Sequence, residues 1–281
     1  MSLVNMNEIL RTANRDGYAV GAFNIFNQVM ARAVVRACEE LSAPVILQTA
    51  VTAVKWYGAA EMMDFLKPLA EKASVPVAIH LDHCPDPDFA KACIDAGWSS
   101  VMIDASRLQL KDNIAVSREV AEYGHRHHVS VEGEFGVIAG VEDELEISPD
   151  SGSLANLDGS IAYVAQTGVD AFAPAIGTAH GMYKGAPKLN YDLLAELHHA
   201  VSVPLVLHGG TGLEAHVFER LIHLGISKIN VATALKQVFV SSAKAAAAQY
   251  TEPLQVDQYI YHELTECVKS FASIFGSAGK A

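Results

Sequence analysis

Three apolar runs of the sequence each lead to a histidine at the end of the run or shortly beyond it. The histidines are His83, His180 and His208. Short apolar runs of this kind are typical of buried parallel strands, and such strands would deliver the three imidazoles to one face. Three imidazoles with an open fourth position form a catalytic zinc site. The pattern therefore predicts zinc bound by His83, His180 and His208.

Further polar side chains fall where the predicted strands end. Side chains alternate along a strand, so His80 shares a face with Asp82, and we interpret His80 as an inward-facing donor below a reactive acid. Each of these residues alone would be interpreted as a helix cap or a solvated residue, and Cys84 as packing. The large number of such residues at the predicted strand ends favours a metal site with acids beside it. The set comprises Asn24, Asp82, His83, Asp104, Glu132, Glu134, His180, His208 and Asn230.

Two loops have the features of a phosphate site. Residues 209–212 read Gly-Gly-Thr-Gly, residues 230–233 read Asn-Val-Ala-Thr, and each loop precedes a predicted helix. Glycines let the backbone close on an anion, and the amides at the start of a helix point at it. One such loop alone would be only a tight turn. Both loops follow the seventh and eighth predicted strands, where phosphate sites recur in (β/α)8 barrels.

The alternation of strand and helix patterns predicts a (β/α)8 TIM barrel of the α/β class, with residues 1–281 as a single domain. The alternative is an open doubly wound sheet, but the Gly-x-Gly-x-x-Gly fingerprint of its dinucleotide-binding versions is missing after the first strand. The polar loop 135–157 is interpreted as a lid or binding loop. Strands are predicted at 19–24, 45–49, 76–82, 99–104, 129–134, 169–176, 203–208 and 226–231, and helices at 6–16, 27–41, 59–73, 85–97, 111–127, 158–167, 190–200, 214–224, 233–248 and 257–275.

The composition excludes several classes of function. A formal net charge of −12 argues against nucleic acid and anionic membranes as partners. We expect no membrane span, because no apolar run approaches the ~20 residues that one requires, and no signal peptide, because the start lacks a basic segment. The four cysteines show no paired metal spacing, so we expect reduced thiols in a cytoplasmic protein.

Six motifs of the chain are similar to those of a known family. The chain resembles the class II, zinc-dependent ketose-bisphosphate aldolases, which include the fructose- and tagatose-bisphosphate aldolases, and the similarity covers essentially the whole sequence. The tagatose type is the more similar branch. The motifs are HLDH at 80–83, SVMIDAS at 100–106, VEGE at 131–134, AIGTAHG at 175–181, LHGGTG at 207–212 and KINVAT at 228–233.

The resemblance implies an enzyme that reversibly cleaves a ketose 1-phosphate or 1,6-bisphosphate to dihydroxyacetone phosphate and an aldehyde. It implies catalytic zinc on His83, His180 and His208, and an acid/base role for Asp82 at the bond that breaks. It also implies that Glu142 handles the carbon-bound proton. The alternative for Glu142 is one more acid in the acidic run 142–144.

Further properties are implied in the same way. Asp104 and Glu134 match a second, non-catalytic divalent cation site, a monovalent cation is expected near the phosphate, and the family usually forms homodimers or homotetramers. The substrate-binding residues that the resemblance implies are Asn24, Gly181, Gly209, Gly210, Thr211, Asn230, Val231, Ala232 and Thr233.

Two departures from the family pattern leave the substrate open. Ala50 occupies the place of a serine, and Leu254 that of an arginine associated with the far phosphate. Unless Lys55, Lys184, Arg107 or a neighbouring subunit supplies the missing cation, the substrate would be a ketose 1-phosphate with a deoxy, acidic or sulfonated distal end.

Three rival functions compete with the zinc-dependent aldolase. They are a Schiff-base aldolase using Lys228, a zinc hydrolase and a non-catalytic sugar-phosphate-binding protein. The Schiff-base enzyme would leave the set of histidines unexplained, and the hydrolase would leave the glycine loops unexplained. The binding protein would require a damaged ligand set, whereas Asp82, His83, His180 and His208 are all present.

Overall fold

Eight parallel strands close into a barrel, as the sequence predicts. The computed structural model describes residues 2–142, 145–148, 152–181 and 187–281, with only the backbone of 141–142 and 145–147. Around the barrel the strands follow the order β1, β2, β3, β4, β5, β8, β10 and β11, and each pairs in parallel with its neighbours. Their bounds are β1 Val20–Asn24, β2 Val45–Ala50, β3 Val77–Cys84, β4 Ser100–Ile103, β5 Ser130–Phe135, β8 Ala171–Pro174, β10 Leu205–Leu207 and β11 Ile226–Val231.

The helices of the described residues agree with the sequence pattern, with two differences. An additional short helix follows β2 directly, and the last helix begins at Pro253, because proline suits the first turn of a helix. Among the described helices, none is long and apolar enough to cross a membrane. Their bounds are α1 Met6–Asp16, α2 Gln28–Leu41, α3 Val51–Tyr57, α4 Ala59–Lys72, α5 Pro87–Ala96, α6 Leu110–Arg126, α7 Leu157–Thr167, α8 Tyr191–Ala200, α9 Ala215–His223, α10 Thr233–Gln249 and α11 Pro253–Ile274.

Side-chain alternation divides each barrel strand between two environments. The outward set, which includes Phe23, Leu47 and Ile79, joins the main apolar core under the helices. The inward set is apolar near the amino ends of the strands, where α1 packs Met6 and Leu10 against it. The helix α1 thus closes one end of the barrel, and the polar residues collect at the other.

The loop 135–157, which is interpreted as a lid or binding loop, contains two short strands, and its role stays a prediction. It contributes β6 (Ala139–Glu142) and β7 (Leu145–Ile147), which pair with each other antiparallel. The strand β9 (Ala179–His180) pairs with β6 in parallel and completes a three-stranded sheet outside the barrel. The predicted sixth strand ends early, at Pro174. His180 therefore lies on this small sheet and not at the end of a barrel strand.

Candidate metal and acid–base site

The three predicted histidines converge at the carboxyl ends of the barrel strands. His83 lies in β3, His180 in β9, and His208 follows β10. Their ligand nitrogens all lie within 4.8 Å of one another, and no other group in the described part of the chain brings three metal-ligating side chains so close together. The donor set suits zinc, which accepts neutral imidazole nitrogens in catalytic sites with an open position.

An irregularity in β3 brings His83 into this site. His83 has a φ of 42°, in the left-handed region that non-glycine residues seldom adopt, and the register between β3 and β4 shifts between Leu81 and Cys84. In a regular strand Asp82 and His83 would face opposite sides. The local bulge places Asp82 Oδ1 3.9 Å from His83 Nε2, so both side chains reach the site.

Carboxylates orient two of the three imidazoles. His83 Nδ1 lies 2.9 Å from Asp104 Oδ2, and His208 Nδ1 lies 3.0 Å from Glu134 Oε2. A carboxylate on one ring nitrogen fixes the tautomer and ring plane of a metal-binding histidine. This geometry supports an orienting role for Asp104 on His83. On His208, Glu132 Oε1 also lies 2.8 Å from Nε2, so whichever carboxylate faces the nitrogen that does not bind the metal would orient the ring. The second cation site predicted at Asp104 and Glu134 stays a prediction.

Buried charges shift the protonation of these groups. Burial and the neighbouring His83 oppose a proton on His208, but hydrogen bonds to Glu132 and Glu134 prevail and raise the pKa of His208 to about 9. Burial opposes ionisation of Asp104, yet its contacts with His83 and Ser106 hold its pKa well below the usual range. The carboxylates thus favour a proton on His208, and zinc would take the place of that proton when it binds.

Asp82 is nearly fully buried and accepts a hydrogen bond on each oxygen. Asn24 Nδ2 donates to Asp82 Oδ2 at 3.0 Å, and Asn230 Nδ2 donates to Asp82 Oδ1 at 3.2 Å. Behind them, Gln48 Nε2 donates to Asn24 Oδ1 at 2.7 Å, and Lys228 Nζ donates to Asn230 Oδ1 at 2.8 Å. The predicted acid/base is therefore held by two amides, each of which has a further donor behind it.

Sequence analysis placed Glu132 among the polar residues at the strand ends and considered Lys228 only as the Schiff-base lysine of a rival function, and it gave Gln48 no role. Glu132 Oε1 lies 2.8 Å from His208 Nε2, and Glu132 Oε2 lies 2.8 Å from Lys228 Nζ. The signal that would have found them is strand alternation, because Gln48 and Lys228 share the inward parity of their strands with site residues. Lys228 is paired with a carboxylate, which stabilises an ammonium, whereas a Schiff base requires a free amine.

His80 has the inward position that alternation predicts. It is fully buried, its Nδ1 lies 2.7 Å from Ser100 Oγ, and its Nε2 lies 3.7 Å from Glu132 Oε2. Burial and the nearby charge of Lys228 keep the pKa of His80 well below its usual value, so the ring is neutral. Cys84 is buried, as its interpretation as a packing residue requires.

A cleft beside the histidines collects the predicted phosphate loops. Val231 is buried in the core and does not line the cleft. Lys236 of α10 lines it and was not predicted as a site residue. Ala232 caps α10 without a side-chain hydrogen bond, so the cap side chain satisfies none of the first amides of that helix. The lining residues are His180, Gly181, Gly209, Gly210, Thr211, Asn230, Ala232, Thr233 and Lys236.

Gly209 lets two backbone segments meet at this cleft. Its φ is 69°, and a Cβ atom there would lie 2.4 Å from the carbonyl oxygen of Ala179. Glycine is therefore required for the loop after β10 to approach the small sheet next to His180. The backbone of Glu142 ends β6, and its side chain lies outside the described residues, so its predicted role stays a prediction.

Comparisons with known proteins agree on one family. Residues 4–280 match the family model described as fructose-bisphosphate aldolase class-II. A fructose-bisphosphate aldolase of Geobacillus stearothermophilus is 39% identical over 291 aligned positions, which cover 100% of this chain and 99% of that protein.

Solved structures show the same likeness. The YdjI aldolase of Escherichia coli K12 superposes with a TM-score of 0.88 at 29% identity, covering 99% of both chains. A fructose-bisphosphate aldolase of Campylobacter jejuni superposes with a TM-score of 0.83, covering 100% of this chain and 97% of that one. Its 20% identity shows a shared fold alone.

Proposed function

This chain belongs to the class II fructose-bisphosphate aldolase family and is an aldolase, and we propose that it is zinc-dependent and cleaves a ketose 1-phosphate or 1,6-bisphosphate. The products are dihydroxyacetone phosphate and an aldehyde. The observation that carries the proposal is the convergence of His83, His180 and His208 within 4.8 Å of one another, beside the buried carboxylate of Asp82.

The residues present fit a zinc ion. His83, His180 and His208 would hold it, with Asp104 orienting His83 and either Glu134 or Glu132 orienting His208. When bound, zinc supplies positive charge that polarises a carbonyl oxygen. A second divalent cation at Asp104 and Glu134, a monovalent cation near the phosphate, a homodimer or homotetramer and a cytoplasmic location are further parts of the proposal that come from the resemblance.

The chain's own residues divide the work of cleavage. Asp82 takes the proton from the C4 hydroxyl, the C3–C4 bond breaks, and its electron pair passes to the half that becomes dihydroxyacetone phosphate. Glu142 then delivers a proton to C3. Asn24 and Asn230 hold the Asp82 carboxylate in place for the first step.

The cleft at the glycine loops would hold the phosphate of dihydroxyacetone phosphate. Residues 209–211 and the start of α10 line it, so their backbone amides would donate to the phosphate, and Lys236 adds a cation. Two residues bear on the far end of the substrate. Ala50, in β2, presents a methyl group, and Leu254 is 68% exposed at the start of α11. These two residues favour the second candidate, a substrate whose far end is not a phosphate.

Metal removal tests the proposed function. Exhaustive chelation should abolish cleavage of a ketose 1-phosphate, and zinc should restore it in proportion to the metal bound. A chelated enzyme that stays active and is inactivated by borohydride with substrate present would instead show a Schiff base on Lys228. The apo enzyme before zinc addition is the control for irreversible unfolding, because its far-ultraviolet circular dichroism should be unchanged.

A further inference from the structure

Lys228 is a fully buried lysine in the interior of the barrel, two residues before Asn230. Its Nζ lies 2.8 Å from Glu132 Oε2 and donates to Asn230 Oδ1 at 2.8 Å. A buried ammonium without partners is costly, and these two acceptors satisfy it. The side chain does not line the cleft at the phosphate loops. Lys228 instead contacts Asn230, which in turn contacts Asp82.

An ammonium behind an amide decides which way the amide faces. The two ends of an asparagine amide have nearly the same shape, and the hydrogen-bond network sets their orientation. Lysine has donors and no acceptor, so Asn230 must present Oδ1 to Lys228. Its Nδ2 is then turned to Asp82 Oδ1, at 3.2 Å. In the reverse orientation Asn230 Nδ2 would face the ammonium of Lys228, and Asn230 Oδ1 would face the carboxylate of Asp82, so neither hydrogen bond could form.

The second oxygen of Asp82 is held by the same arrangement with a neutral residue. Gln48 Nε2 donates to Asn24 Oδ1, so Asn24 Nδ2 faces Asp82 Oδ2. Gln48 has an amide where Lys228 has a charge, and only Lys228 is tied to the carboxylate that contacts His208. Each oxygen of Asp82 therefore accepts from an asparagine amide that has a further donor behind it. The donor behind Asn230 is charged and therefore stronger than the neutral donor behind Asn24.

We propose that Lys228 is a positioning residue of the aldolase reaction. Its ammonium fixes the amide of Asn230 with Nδ2 toward Asp82, and the fixed amide holds the Asp82 carboxylate toward the substrate hydroxyl. Lys228 acts through Asn230 and does not touch the substrate. This inference rests on the proposed acid/base role of Asp82.

The test must separate positioning from the general cost of a broken ion pair. Lys228→Met alone would leave Glu132 buried and unpaired, which destabilises a protein by itself. The comparison is therefore between the double variant Lys228→Met/Glu132→Gln and the reference Glu132→Gln. Neither protein contains the buried carboxylate, and only the reference keeps the ammonium behind Asn230. Because that ammonium has lost its carboxylate, thermal unfolding of both proteins must show that each is folded at the assay temperature.

We expect the double variant to bind as much zinc as the reference, and to bind dihydroxyacetone phosphate within about twofold of it, because neither ligand contacts Lys228 in the proposed arrangement. Its kcat for cleavage should be lower on the order of 10- to 100-fold, since small misplacement of a reacting group lowers rates by such factors. Equal kcat values would overturn the inference. A loss of zinc or of phosphate binding in proportion to kcat would also overturn it, because it would show a merely structural role.

A double-mutant cycle with Asp82→Ala gives the second readout. If Lys228 acts through Asp82, adding Lys228→Met to Asp82→Ala/Glu132→Gln should lower the residual kcat by less than about twofold, because the losses are not additive. Additive losses would contradict the positioning role and leave the role of Asp82 intact. An Asp82→Ala variant with wild-type kcat would instead contradict the proposed function itself.

Discussion

Ala50 of β2 lies beside Asp82 of β3 in the parallel register of the two strands. A methyl group therefore borders the proposed acid/base at a position where the family resemblance leads one to expect a hydroxyl. No polar atom of the Ala50 side chain is available to a substrate. The residue beside the proposed acid/base thus gives the substrate no side-chain hydrogen bond, which bears on which aldehyde the enzyme releases.

The first prediction concerns that aldehyde. With dihydroxyacetone phosphate as the fixed donor, we expect the best acceptor in the aldol direction to lack a terminal phosphate, because an unpaired phosphate dianion is costly to desolvate. The measurement is kcat/KM for a panel of deoxy, acidic, sulfonated and phosphorylated three-carbon aldehydes. A wide preference for glyceraldehyde 3-phosphate would contradict the argument from Ala50 and Leu254.

The second prediction concerns Asp82. Asp82→Ala should lower kcat on the order of 10²- to 10⁴-fold, the usual contribution of a general acid–base group, and leave zinc content unchanged. Metal analysis and steady-state kinetics on the same preparation check both parts. A parallel fall in zinc content would show that Asp82 is a metal ligand and that its assigned role is wrong.

The third prediction separates two roles of Glu134. If its carboxylate orients His208, Glu134→Gln should weaken zinc binding about 10- to 100-fold, and excess zinc should restore cleavage. Zinc titration of the apo protein measures this affinity directly. If Glu134 belongs to a second cation site instead, the variant should keep its affinity for the first zinc and lose one equivalent of bound cation.

The fourth prediction uses a matched pair of glycines. Gly209 and Gly168 both have a positive φ, of 69° and 72°, but a Cβ at Gly168 meets nothing within 4 Å. Gly168→Ala should cost about 1–2 kcal/mol of unfolding free energy from the left-handed backbone alone. Gly209→Ala should cost more, because its Cβ would press on the Ala179 carbonyl, and should also raise KM for the phosphorylated substrate.

Thermal or denaturant unfolding and steady-state kinetics on both variants check this prediction. The KM of Gly168→Ala should match that of the unmodified protein, because Gly168 caps α7 just before the amino end of β8, whereas the cleft lies at the carboxyl ends of the strands. A normal KM in Gly209→Ala would show that the loop after β10 does not shape the phosphate site.

The barrel was predictable because its signals are local. Apolar runs, helix caps and glycines specify eight strands and most helices one element at a time, and strand alternation places Asp82 and Glu134 inside. What the sequence did not predict depends on contacts between distant segments. The small sheet forms because β6 meets β9 across about 40 residues of chain, and the left-handed conformation of His83 has no single-residue signature.

The same reasoning explains the incomplete prediction of the site. The three histidines and the glycine loops were recognisable by residue type. Gln48 was not recognised, and Lys228 was considered only as a Schiff-base lysine, because the importance of both lies in which end of an amide they hold. Such a role depends on atomic orientation, which is determined only when strands from different parts of the barrel are brought together.

The placement of His180 on the small sheet gives the proposed zinc a mechanical role. His83 and His208 belong to the barrel wall, whereas His180 pairs with Gly140 of β6 through the backbone. An ion held by all three would cross-link the small sheet to the barrel. Such a cross-link would reduce the conformational freedom of the segments that form the small sheet. The sheet carries the backbone of Glu142 as well. Binding of one ion would thereby assemble the three-histidine site and, at the same time, fix the segment that carries Glu142, the proposed proton donor.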